Sequence, residues 1–148
     1  NALSYQWLID GQTYSTEDAQ HLFAQNGTYD VQLIATGAAA YCADTFTLQV
    51  LVYEQLTAIL YNIFTPNGDG LNDAFGVTVN VPCTIEYGIF NRWGNLLHSG
   101  STNTENAGFI PLWDGLSASD GVYFYSLAIT QKYGKEQVFK GTVTLLRK

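Results

Sequence analysis

The side chains best equipped for chemistry in this chain are acids and amides set among glycines. The densest group is Phe64-Thr65-Pro66-Asn67-Gly68-Asp69-Gly70-Leu71-Asn72-Asp73. Spaced oxygen donors in a glycine-bearing loop are what a calcium ion requires. Thr65, Asn67, Asp69 and Gly70 fall at positions 1, 3, 5 and 6 of a calcium loop, but position 1 lacks a carboxylate and position 12 is Gly76 instead of Glu. Asn67, Asp69 and Asp73 are therefore the candidate calcium ligands of an incomplete site. The competing reading is a rigid, self-bonded turn. Pro66 presets φ, the glycines permit φ > 0, and Asn and Asp side chains bond the backbone just ahead of them. The turn is preferred, and no cofactor is expected.

Catalytic arrangements are weak elsewhere. Asp69 with Asp73 and Asp114 with Asp120 are carboxylate pairs, yet each sits in glycine-rich turn chemistry. His21 and His98 have no cysteine nearby, Cys42 and Cys83 form no C-x-x-C, and no Gly-x-Ser-x-Gly occurs. The chain is not expected to be an enzyme. Arg92-Trp93 joins two residue types that dominate protein interfaces, although the guanidinium could equally lie across Trp93 or Trp113 as an internal cation–π contact. Trp7, Trp93 and Trp113 are too far apart in sequence to favour a sugar-stacking platform over core packing.

The elements that would carry these residues are strands. Hydrophobic residues make up 47% of the 148 positions and charged ones only 13%, about half the usual ~25%. No apolar run approaches the ~20 residues of a membrane helix. The net charge of −7 argues against nucleic acid or anionic lipid as partner. Five bases against the single acid Glu136 mark the stretch from Lys132 to Lys148, either a handle for an acidic receptor or a guard on an edge strand.

Alternating apolar positions run through Leu3–Ile9, Tyr29–Ala35 and Phe46–Val52, with Asp10-Gly11 and Asn26-Gly27 as turns. After the candidate linker Glu54-Gln55, Leu56–Ile63 leads into the acidic loop, and Phe75–Val79 and Ile85–Asn91 alternate beyond it. Arg92-Trp93-Gly94-Asn95 reads as a turn and residues 100–108 as an exposed loop. The closing hairpin pairs Tyr123–Ile129 with Phe139–Leu145, and Gly141 inside the last strand signals close backbone approach or a bulge. The expectation is an all-β chain of two consecutive Ig-like β-sandwich modules, residues 1–53 and 54–148. One cysteine in each module leaves an interdomain bridge and two free thiols both open.

Five blocks occur in a fixed order: the Phe64–Asp73 loop, Phe90-Asn91-Arg92-Trp93-Gly94, Trp113-Asp114-Gly115, Asp120–Tyr125, and Lys140–Arg147. In this they resemble the gliding-motility-associated (type B) C-terminal sorting domain of large surface proteins in the Bacteroidota, over roughly residues 54–148. Tyr5-x-Trp7 with Asn26-Gly27-Thr28-Tyr29 resembles a PKD-type spacer module, over too few residues for a whole domain, so that strands upstream are expected to be missing.

The resemblance implies a folded secretion signal that directs an adhesin-like parent protein through the type IX secretion system to the extracellular side of the outer membrane. It implies as partners the outer-membrane components of that system, including a PorP/SprF-like β-barrel protein. The chain is not itself expected to span the membrane. The expected receptor-facing element is the last strand, with Phe139, Lys140, Gly141, Thr142, Val143, Leu145, Arg147 and Lys148. The loop with Phe64, Pro66, Asn67, Asp69, Asn72 and Asp73 comes second, and Arg92 and Trp93 are further candidates. The alternatives are a polysaccharide-binding adhesin module and an inert surface spacer.

Overall fold

The computed structural model describes residues 2–38 and 42–147. Among the described residues it contains twelve strands and no helix. The chain divides into two compact units, residues 1–54 and 55–148.

The first unit is one antiparallel sheet. Its strands are β1 (Ser4–Ile9), β2 (Gln12–Tyr14), β3 (Gly27–Thr36) and β4 (Ala43–Val52), in the order β2-β1-β3-β4. Asp10 and Gly11 take φ of 47° and 75° and form the tight β1–β2 turn that Asp-Gly favours. Registers Trp7↔Leu33, Ile9↔Val31 and Leu33↔Phe46 gather the apolar positions on one face. A second sheet is absent from the described residues of this unit. The polar run from Ser15 to Gln20 has no period-two pattern, and the irregular segment 15–26 lies over the face instead. There Trp7 Nε1 donates to Thr16 O at 3.1 Å and Phe23 packs on Tyr29 at 4.5 Å between centroids. Tyr29 Oη donates to Gln25 O, four residues upstream, at 2.8 Å. This is the tyrosine corner of Ig-like folds. β4 remains exposed, with Phe46 and Leu48 open to solvent.

The second unit is a two-layer sandwich. Its strands are β5 (Ala58–Leu60), β6 (Ile63–Phe64), β7 (Phe75–Val79), β8 (Cys83–Phe90), β9 (Leu96–Thr104), β10 (Gly108–Trp113), β11 (Gly121–Gln131) and β12 (Gln137–Leu145). The smaller sheet is ordered β10-β7-β5 and the larger β6-β12-β11-β8-β9. Among the described residues of this unit only β6–β12 is parallel. Inward-facing Phe75, Val77, Ile85, Ile89, Leu127, Ile129, Val143 and Leu145 fill the space between the layers and are essentially inaccessible. Alternation along β8, β11 and β12 is the pattern of strands with one face on a core.

Two local readings change. The Leu56–Ile63 strand splits into β5 and β6, in different sheets. Residues 100–104 belong to β9 and are not loop. That strand contains Ser99, Gly100, Ser101, Thr102 and Asn103, too polar to show a period. Its ladder with β8 holds it, helped by Thr84 Oγ1 donating to Asn103 Oδ1 at 2.7 Å. Gly141 faces Tyr125 across the β11–β12 ladder, and a Cβ there would lie 2.6 Å from the Tyr125 hydroxyl. Close approach, not a bulge, explains that glycine.

Candidate recognition surface

The acidic loop is wired to itself. Asp73 Oδ1 accepts from the amides of Asn67 at 3.0 Å and Gly68 at 2.8 Å, and Oδ2 accepts from Gly70 N at 2.8 Å. Asp69 Oδ1 accepts from Leu71 N, and its Oδ2 accepts from Asn67 Nδ2, both at 2.8 Å. Thr65 N closes the loop on Asn72 O at 2.7 Å. Gly68, Gly70 and Asn72 take φ of 79°, 84° and 56°, the left-handed region that glycine and asparagine tolerate. The amides of Gly68, then Gly70 and Asn67, hold the Asp73 carboxyl below its ordinary 3.8, against an opposing effect of burial. Both carboxylates of the candidate calcium set therefore accept main-chain or side-chain N–H groups within the loop itself.

The hairpin tip Asn91–Asn95 is built in the same way. Asn91 Oδ1 accepts from Trp93 N at 3.0 Å and Asn95 N at 2.9 Å. This cap presents Arg92 and Trp93 outward, Trp93 with 76% of its surface exposed. The Arg92 guanidinium carbon sits 5.2 Å from the centre of the Trp93 ring. The cation–π contact exists, and it is on the surface. Trp113 is buried, packing on Phe64 at 5.3 Å and Tyr123 at 5.0 Å, and Trp7 belongs to the first unit, so Trp93 supplies the exposed tryptophan ring of the second.

Side chains of the last strand divide sharply. Val143, Leu145 and, in the loop, Phe64 are core residues whose side chains no partner can reach while the domain is folded. Phe139 is half-buried against that core and Gly141 lies beside Tyr125. Lys140 and Thr142 are exposed on the outer face of the larger sheet. Pro66 is half-buried, and Asn67, Asp69 and Asn72 are exposed, while Asp73 is half-buried. Arg147 serves the fold itself. Its Nη1 donates to Ala118 O at 2.8 Å and Asp120 Oδ1 at 3.0 Å, and its Nη2 donates to Gly115 O at 2.6 Å. Lys148 lies outside the described residues.

The sequence blocks, scattered over eighty positions, meet at one end of the sandwich. β6 pairs with the end of β12, where Leu146 N donates to Phe64 O at 3.2 Å. Arg147 then clamps the 115–120 turn. Beside it, Arg92, Trp93, Leu97, Trp113, Asp120 and Tyr123 line a groove of about 380 Å³. Sequence reasoning missed the Arg147 clamp and the second tyrosine corner, in which Tyr123 Oη donates to Ser119 O. The repeated Asn/Asp-Gly-x-Tyr pattern, at Asn26–Tyr29 and Asp120–Tyr123, is the signal that would have found the corner.

Comparison with known families places this geometry. The CHU_C type IX secretion signal domain matches residues 58–145, and a PKD domain matches residues 1–52. The chain belongs to the CHU_C type IX secretion signal domain family, with a PKD-like domain ahead of the signal. Among solved structures, a crystal structure of dimeric latent PorU from Porphyromonas gingivalis aligns with 98% of this chain at 15% identity and a TM-score of 0.41. The chain spans 16% of that protein. No curated protein matches. Family membership makes the second unit a type IX secretion signal, which indicates export, the cell surface and interaction with the secretion machinery. Neither matched family is enzymatic. No helix of the described residues is long and apolar enough to cross a membrane.

Proposed function

We propose that the second unit is read by its receptor as a folded body, through surface loops and strand edges, and that it delivers an adhesin-like parent protein to the extracellular side of the outer membrane. The observation that carries this reading is the convergence of the five blocks at one end of a rigid sandwich. There the Phe64–Asp73 loop, the Arg92-Trp93 tip and the Arg147-clamped turn are each fixed by their own hydrogen bonds. Preordered loops lose little entropy on binding. Arg92, Trp93, Lys140, Thr142 and the exposed loop residues Asn67, Asp69 and Asn72 are the contacts, and the receptor is an outer-membrane β-barrel of the PorP/SprF kind. The fully buried Phe64, Val143 and Leu145 support this surface from below.

The test is a pull-down from outer-membrane extract with the full chain as bait, the captured proteins being identified by mass spectrometry. The expected capture is a PorP/SprF-like barrel, with a loss of tenfold or more for the Arg92→Ala/Trp93→Ala variant and no effect of EDTA. Equal capture by the variant would reject the tip as a contact. Loss with EDTA would show that the loop does hold calcium.

A further inference from the structure

Successive residues of a strand point their main-chain groups to opposite sides. In the larger sheet hydrogen bonds fix this parity at two places. Thr144 N and Leu146 N donate outward from β12 and its extension, to Asn62 O and Phe64 O, and Asn91 N donates across the β8–β9 hairpin to Asn95 O. Even residues of β12 thus face outward and odd ones face β11. Carried through the registers of β11 and β8, the same parity turns the N–H and C=O of Ser99, Ser101 and Asn103 in β9 toward the open edge.

An open edge invites pairing with any extended chain, and folded proteins guard theirs with charge, proline, bulges or shortness. In this unit β5 has three residues, and β10 carries Pro111 and a register shift beside it. β12 is covered at Thr144 and Leu145 by β6 and carries Lys140 further along. β9 has none of these guards beyond its first turn. It is nine residues long, contains no Asp, Glu, Lys, Arg or Pro, and its only register shift precedes Ser99. An edge left unguarded where the other three are guarded is an edge meant to be covered.

Resting on the export-signal reading, we infer that β9 is a strand-addition site. Its occupant is an extended segment of the receptor, bonded to the main chain of Ser99, Ser101 and Asn103. The Ser99-Gly100-Ser101 run is small, so the incoming strand carries large side chains, since cross-strand contact between side chains is what stabilises a pair. A second copy of this chain pairing about Gly100 would set small residues against small ones and gain little. The site also runs directly out of the Arg92-Trp93 tip, so the two form one continuous surface.

Proline tests this cleanly, because at Ser99 or Ser101 it removes an outward N–H and leaves the β8 ladder intact. The full chain is fused to a reporter and its surface export is measured in a bacterium with a working type IX system. Ser99→Pro and Ser101→Pro are expected to lower export tenfold or more at unchanged thermal stability, and Glu136→Ala, in the exposed turn between β11 and β12, to leave it unchanged. If neither proline variant folds, Ser101→Lys, which adds only a guarding charge, is read in their place with the same expectation. A folded proline or lysine variant exported normally overturns the site, as does an alanine variant that loses as much. A dimer in solution abolished by Ser101→Pro would make a second copy the occupant and overturn the receptor strand. An unsubstituted chain that stays inside overturns this inference together with the export reading beneath it.

Discussion

Single side chains in the second unit do structural work that their types only half announce. Asp73 is the clearest case. Its folded carboxyl lies below the ordinary 3.8, so its stabilisation of the loop is complete above that value and is lost as pH falls through the lower folded one. Protection of the Asn67, Gly68 and Gly70 amides in hydrogen exchange should collapse over that acidic range. Asp73→Asn keeps one acceptor and turns the other, facing Gly70 N–H, into a donor. Gly70 protection is expected to fall most at neutral pH; equal protection in the variant would contradict the wiring. The cysteines offer a second check. Both are free, Cys42 exposed and Cys83 buried, and burial pushes the Cys83 thiol above its ordinary value. In the folded chain a thiol reagent should label Cys42 within minutes and Cys83 only after denaturation. Rapid labelling of both would mean the core opens around Cys83.

At the scale of elements, the end of the chain is part of the core. Cutting the last ten residues removes Val143 and Leu145 along with any contact surface. Such a truncation is expected to unfold the domain, so its failure to export would say nothing about recognition. Arg147→Ala should cost about 2–3 kcal/mol in urea unfolding, because it strips a charged donor from Asp120 and leaves the Gly115 and Ala118 carbonyls without that partner. A lysine there cannot span all three acceptors, so Arg147→Lys should recover less than half; full recovery would show that charge alone matters. Strands with one face on the core, β8, β11 and β12, were legible as period-two runs, and the Asp10-Gly11 and Arg92–Asn95 turns as turn chemistry. β9 was not, because hydrogen bonds to β8 rather than apolar residues hold its polar stretch. What covers the sheet of the first unit was hidden for a related reason. Alternation in β3 and β4 shows which face is apolar but not what covers it. The candidate surface could be read only as five blocks in order. Their meeting point depends on sheet topology, which no local pattern carries.

For the molecule as a whole, the two units differ in how much they bury. The second has a cluster of fifteen buried apolar residues, while Ile9 is the only buried apolar residue among those described in the first. Amides of β1 and β3 should therefore exchange at a lower opening free energy than those of β8 and β11; the reverse order would contradict the burial pattern. The unit that buries more is the one matched by the secretion-signal family. The most direct measurement is surface display of a reporter fused ahead of the full chain, compared between a strain with a working type IX secretion system and one lacking it. The reporter is expected at the surface only in the first strain. Equal retention in both, or equal display in both, would contradict the claim that this domain directs export.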